Sequence, residues 1–312
     1  MQDFKTDVFK VCPDGKFLLK EHDTHWVPNW SKKFGRKKNL KDQAEAVLEA
    51  SRNQLIVMQE LLWASDTYAM LIILQGMDAA GKDSTIKHVM SGVNPQGCQV
   101  TSFKTPTQEE MDHDFLWRYA KALPNRGLIG IFNRSYYEDV LVVKVHPEMY
   151  ANLRVPVAEK GKHFWDRRYQ DISLFERHLV RNGTVVLKFF LHLSKEEQRQ
   201  RFLQRLEDPE KYWKFSLNDL SERARWKEYM DVYEEMLNET STKWAPWYII
   251  PADEKWVAHA IISEIIANTI KELDLHYPGV SSEQKKVFKK ARLALEENKE
   301  IRKKKSHQTS YH

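Results

Sequence analysis

The residues Gly76 to Lys82 carry the spacing Gly-x-x-x-x-Gly-Lys. The chemistry that this spacing suits is the holding of phosphate. Glycines let the backbone wrap an anion with its amides inward, a following helix offers its positive end, and the lysine reaches the terminal phosphates. Ala79, Ala80 and Gly81 would supply amides, with Lys82 as the cation and Asp83 and Ser84 just beyond it. An ordinary strand–helix turn is the competing reading. One residue departs from the usual loop: Asp83 stands where a magnesium-binding hydroxyl is expected, and the hydroxyls follow at Ser84 and Thr85.

Two further groups could meet this loop. Asn133-Arg134-Ser135 ends an apolar run and is followed by Glu138 and Asp139. The segment 194–227 holds Arg199, Arg201, Arg205, Arg223 and Arg225, in a helix–loop–helix pattern that suits a lid over phosphates. Each has a plainer reading. Asp78 could be a surface loop residue, Arg134 could pair with a structural carboxylate, and some of the lid arginines must face solvent. Trp213, Trp226, Tyr229 and Tyr233 read as packing residues, and His88, His113 and His146 as structural or exposed.

A metal site beside such a loop normally uses a hydroxyl after the lysine and an acidic residue at a neighbouring strand end. Here those places hold Asp83 and Asn133, so the carboxylate that Mg²⁺ (or Mn²⁺) needs is expected from Asp78 or Glu138. Lys104 and Arg118, near the ends of the second strand and its helix, are further cations that could meet a phosphate.

The elements that would position these residues follow from periodicity. Met70–Leu74, 99–103, 127–133, 184–192 and 247–253 read as buried strands, separated by segments of helical spacing. Leu40 to Leu62 predicts an amphipathic helix of about 25 residues. Thr107 with Glu110, and Ser194 with Glu197, predict capping boxes. The first should open a helix through Phe115 and Tyr119 to about Leu123; another helix is expected from about 218 to 237. Asn182-Gly183 is a helix stop. The fold class is α/β: a five-stranded parallel sheet flanked by helices, with ligands at the carboxyl ends of the strands. The expected organisation is an arm and helix over 1–66, a phosphate-loop domain over 67–275 with a lid at about 194–240, and a basic helical tail over 276–312.

Composition bounds the function. The 312 residues are 42% hydrophobic and 30% charged, with formal net charge +5. No stretch approaches the length of a membrane span and no signal-peptide pattern opens the chain. Cys12 and Cys98 fit no metal spacing. A cytoplasmic protein is expected, without nucleic-acid or membrane partners. Basic runs at Lys32–Lys41 and Lys285–Lys305 read as solvated arms or as attractors of polyanions.

As a set, these motifs resemble the family-2 polyphosphate kinases, which have a P-loop fold akin to thymidylate kinase. The stretches are Gly76-Met-Asp-Ala-Ala-Gly-Lys-Asp83, Gly92–Gly97 with Ser102–Pro106, His113–Arg118, Ile131-Phe-Asn-Arg-Ser-Tyr-Tyr-Glu-Asp139, Phe190–Gln198, Asp208–Lys214 and Ala245–Trp247. The resemblance implies reversible phosphoryl transfer between inorganic polyphosphate and a nucleotide, with Mg²⁺. The form around Asn133 looks most like class III, which phosphorylates AMP and ADP; guanine nucleotides are an alternative. By position it places Asp78, Lys82 and Arg134 in catalysis and Arg199 and Arg205 on the lid; with a nucleotide as substrate, Lys104, Arg118 and Glu138 become candidates for binding it. It implies a homodimer or homotetramer. An ATP-dependent nucleotide kinase and a non-enzymatic P-loop binding protein are the competing functions.

Overall fold

A computed structural model describes residues 6–13, 15–25 and 37–308. The basic residues Lys32, Lys33 and Arg36 lie outside these. The side chains of Lys37, Lys38 and the tail from residue 297 onward are likewise outside the description.

The chain divides into residues 1–275 and 276–312. In the first unit, two short 3-10 turns, Thr6–Phe9 and Leu19–Glu21, precede α1 (Lys37–Ser65) and β1 (Ala69–Gln75). Then come α2 (Lys82–Val89), β2 (Cys98–Ser102), α3 (Gln108–Met111), α4 (Trp117–Lys121) and β3 (Ile129–Asn133). α5 (Glu138–Val145), α6 (Pro147–Ala151) and α7 (Phe164–Arg181) lead to β4 (Thr184–His192). α8 (Lys195–Glu207), a 3-10 turn (Pro209–Lys214), α9 (Leu217–Ala224) and α10 (Trp226–Thr240) follow. β5 (Trp247–Pro251) and α11 (Lys255–Glu272) complete the unit, and the second unit is α12 (Ser282–Gln308).

All five strands are parallel, in the order β2-β3-β1-β4-β5. β1 is buried at every position because it is central and covered on both faces. Its period of two sorts side chains between two cores. Leu71 and Ile73 join Phe132, Tyr136, Tyr169, Tyr233 and Trp247 on one face. Met70, Ile72 and Leu74 join Leu55, Leu62, Ile261 and Ile265 of α1 and α11 on the other. No helix among the described residues is long and apolar enough to cross a membrane.

Three helix expectations need correction. The capping box at Thr107 and Glu110 forms, but its helix stops at Met111. Asp114 draws the Leu116 amide to its own carboxylate at 2.9 Å, a local turn that competes with the helical ladder. The helix expected over 218–237 is two, broken where Arg225 leaves the ladder (φ −85°, ψ 20°) and donates to Val145 O at 3.0 Å. Ser194 caps the Glu197 amide, yet Glu197's carboxylate goes to Arg201 rather than back to the cap. Trp213, expected to pack, is 77% exposed, while Tyr229 and Tyr233 are core residues.

Candidate active site

The phosphate loop lies between the buried end of β1 and the start of α2. Gly76 has φ +147°, and a Cβ there would meet Leu191 O at 2.8 Å. Gly81 caps α2 at φ +108°, and Ala79 is also left-handed at φ +63°. Such a backbone needs outside support, and α8 provides it. Arg201 Nη1 donates to Ala79 O at 2.8 Å and Ala80 O at 3.1 Å. Its Nη2 reaches Ala252 O and Asp253 O at 2.6 and 2.9 Å. Gln198 holds Asp78 O at 2.9 Å. With the carbonyls bound on this side, the loop's shape is set by α8 and the end of β5.

Lys82 is buried, its ammonium donating to Gly76 O at 2.6 Å and Met77 O at 3.2 Å. Burial, then the nearby Arg134 charge, pushes its pKa down, against Asp78, Glu138 and Asp83. Arg134, at φ +67°, donates to Asp78 Oδ1 at 2.7 Å and lies 3.9 Å from Glu138. Burial works against its charge, but Glu138 and Asp78 hold its pKa above the ordinary value. Glu138 is itself raised by burial, with Arg134 and Lys82 opposing. With the Gln75 amide in its hydrogen-bonding orientation, its nitrogen donates to Glu138 Oε1 at 2.9 Å.

What fixes Arg134 is the buried segment after it. Tyr136 and Tyr137 both donate to Glu176 Oε1 at 2.8 Å. Glu176 pairs with Lys188 at 2.7 Å, with neither side chain exposed. Lys188 also reaches Thr240 O at 2.7 Å, so every partner is hydrogen-bonded, as burial requires.

The two departures from the usual loop touch each other. Asn133 Nδ2 donates to Asp83 Oδ1 at 2.6 Å. Acid and neutral group have exchanged places across the site, so the carboxylate that the strand end lacks stands at Asp83. Asp83, expected from the sequence to meet phosphate, here accepts the Asn133 amide.

These residues border a cavity of about 690 Å³. Residues Asp78 to Ser84, Lys104, Asn133 and Arg134 form its floor, and Arg201, Arg205, Lys211, Lys214 and Lys255 face them. Asp219 is the acid on the side of these cations, paired with Arg205 at 3.2 Å. Arg199 is not brought there: it is exposed and paired with Glu196 at 2.6 Å. Glu138 lies behind Arg134, outside the lining. Gln198, Lys211, Lys214 and Lys255 were not singled out from sequence, and Arg201 was named there only within the group of arginines on 194–227. For Arg201 a signal existed. Arg201 and Arg205 are four apart and share a helix face, whereas Arg199 is six from Arg205 and points elsewhere.

Lys104 and Arg118, paired in the sequence reading, face different cavities. Arg118 donates to Lys104 O at 2.9 Å and to Tyr119 Oη at 2.7 Å, and lines a second cavity of about 1070 Å³. Phe115, Leu116, Phe164, Leu174 and Phe175 give that cavity apolar walls, and Thr105 borders both.

Comparison with known proteins agrees with this architecture. The Polyphosphate kinase 2 (PPK2) family matches residues 38–277. An ADP-polyphosphate phosphotransferase of Rhodopseudomonas palustris is 50% identical over 292 residues, 93% of this chain and 98% of that protein. An AMP/ADP-polyphosphate phosphotransferase of Meiothermus ruber is 44% identical over 279 residues, 89% of this chain and 98% of that protein. The crystal structure of Polyphosphate Kinase 2 from Arthrobacter aurescens TC1 superposes with a TM-score of 0.77 at 39% identity, covering 88% of this chain and 91% of that one. The shared fold and this extent of identity lead to one conclusion: the chain belongs to the polyphosphate kinase 2 family.

Proposed function

We propose that this chain transfers the terminal phosphoryl group of inorganic polyphosphate to ADP and AMP, reversibly. The observation that carries the reading is the pair of cavities meeting at Thr105: one basic and built on the phosphate loop, the other larger and apolar-walled. Polyphosphate is a long polyanion and suits the first. A nucleoside, flat and part apolar, suits the second, with its phosphate directed at Thr105.

In the forward step a terminal P–O bond of polyphosphate breaks and the shortened chain leaves with the electron pair. A terminal oxygen of the acceptor's phosphate forms the new bond. That oxygen is already anionic near neutral pH, since the second phosphate pKa is about 6. No proton must be abstracted. The work of the site is to cancel repulsion between two anions and align them. Lys82 and Arg134 hold the transferring group, Arg205, Lys211 and Lys214 hold the polyphosphate, and Asp78 orients Arg134.

Asp78, Asp83 and the Asn133 amide are hard oxygen donors on the cavity floor and suit Mg²⁺ or Mn²⁺. Glu138 would join them on leaving Gln75. A divalent ion held there would neutralise phosphate charge. Calorimetric Mg²⁺ affinity should fall in Asp78→Ala combined with Glu138→Ala; an unchanged affinity removes the assignment of these two carboxylates.

The deciding experiment crosses polyphosphate or ATP as donor with AMP, ADP, GMP and GDP as acceptors. ATP formed from ADP and polyphosphate alone supports the reading, and transfer only from ATP overturns it. A homodimer or homotetramer in the cytoplasm belongs to the same proposal, and light scattering measures the assembly.

A further inference from the structure

Arg168, on α7, is a buried cation in the wall of the second cavity with a hydrogen-bond donor that no described residue uses. It is only 6% exposed. Its Nη1 is buried without a hydrogen-bond partner, and the described residues give it no ion pair. Asp139, Asp171 and Asp114 lie near enough to offset its charge, and burial still lowers its pKa. Its immediate contacts are aromatic: the guanidinium carbon is 3.9 Å from the Phe115 ring centroid and 5.0 Å from that of Phe164. A buried cation normally costs several kcal/mol unless it is paired. Cation–π contact recovers part of this, but leaves an in-plane N–H donor unused.

The position says which part of a ligand would use it. Thr105 joins the two cavities, so the acceptor's phosphate must lie at that end, near Lys104 and Arg134. Arg168 lines only the second cavity, between the rings of Phe115 and Phe164. That is a place for a flat, part-apolar group with in-plane acceptors. We infer that Arg168 recognises the base of the acceptor nucleotide by donating a hydrogen bond to one of its ring nitrogens. Arginine has donors only, so it selects an acceptor edge, as it does when it reads base edges in nucleic acid. The inference rests on the proposed placing of the nucleoside in this cavity.

The test uses 1-deaza-, 3-deaza- and 7-deaza-ADP, each lacking one ring nitrogen, with polyphosphate as donor. In the wild type one analogue should show a KM about tenfold above that of ADP, the size expected for a hydrogen bond from a charged group. In Arg168→Met that penalty should vanish, the KM for ADP rising to that of the analogue while kcat changes less. If Arg168→Met does not fold, Arg168→Lys is read by the same criterion, a change in the analogue-specific penalty. A wild type that treats all three analogues like ADP overturns the inference. So does a variant that shifts ADP and every analogue by one common factor, which is what a merely structural arginine would do. In both cases transfer to ADP persists and the proposed function stands. No transfer from polyphosphate to ADP in the wild type overturns the two together.

Discussion

Arg134 occupies a backbone region that costs a non-glycine residue on the order of 1 kcal/mol or more, and it does so at the point where the third strand delivers its chemistry. The strain persists because the next three residues are buried and two of their hydroxyls are fastened to Glu176. Arg134 is thus aimed before any ligand binds. Arg134→Ala or Lys82→Ala should lower kcat roughly a hundredfold, the effect of losing one preorganised charge on the transferring group, with Tm little changed. Arg134→Lys should not restore the rate, because an ammonium cannot reproduce the planar fork that bridges Asp78 and phosphate. Steady-state kinetics with a melting curve for each variant decides this. The arginines of α8 separate in the same assay. Arg205→Ala should cost tenfold or more in kcat/KM for polyphosphate, and Arg199→Ala less than twofold, since Arg199 is exposed and bound only to Glu196. Equal losses would contradict the geometry.

The strands could be read from the sequence because central parallel strands leave a nearly continuous apolar record, as Ala69–Gln75 does and as Thr184–His192 does apart from the buried Lys188. Helix breaks left a weaker one. The stops at Met111 and Arg225 depend on where Asp114 and Arg225 find partners, and Arg225's partner, Val145 O, is 80 residues away. One such distant contact should be visible in solution. His146, between α5 and α6, meets Glu148 and Glu222 at 2.9 Å each, tying α9 to the body of the domain. Burial disfavours the charged imidazole, but the two carboxylates outweigh it and raise its pKa above 6.5. The protonated pair therefore contributes its full stability below pH 6.5 and loses it as the pH rises through the raised value. His146→Gln should melt roughly 2–4 °C below the wild type at pH 6, with the gap closing by pH 9. A gap independent of pH would mean that the latch is not ionic.

At the scale of the whole molecule, the formal net charge of +5 understates the field that a polyanion meets. The cations that matter converge on one cavity from α2, the end of β3, α8, the 3-10 turn Pro209–Lys214 and the start of α11. Sequence showed the loop, the strand-end arginine and an arginine-bearing lid, because each is local. Lys255 was invisible as a site residue, since only the fold carries the start of α11 to a loop more than 170 residues earlier. The same convergence predicts salt sensitivity. KM for polyphosphate should climb steeply between 50 and about 300 mM salt, as a Debye length near 10 Å shrinks, while KM for ADP climbs less. Parallel titrations of the two substrates test this, and equal slopes would place polyphosphate elsewhere.

Arg201 carries a last consequence. By binding carbonyls on both the phosphate loop and the residues just after β5, it holds the loop in shape in the folded protein. A donor then finds its cradle already formed and need not organise it on arrival. Long and short polyphosphates should therefore differ in affinity only by how many cations of this cavity each can span. Affinity should rise with each added phosphate until the chain outruns Lys211 and Lys214, and level off there.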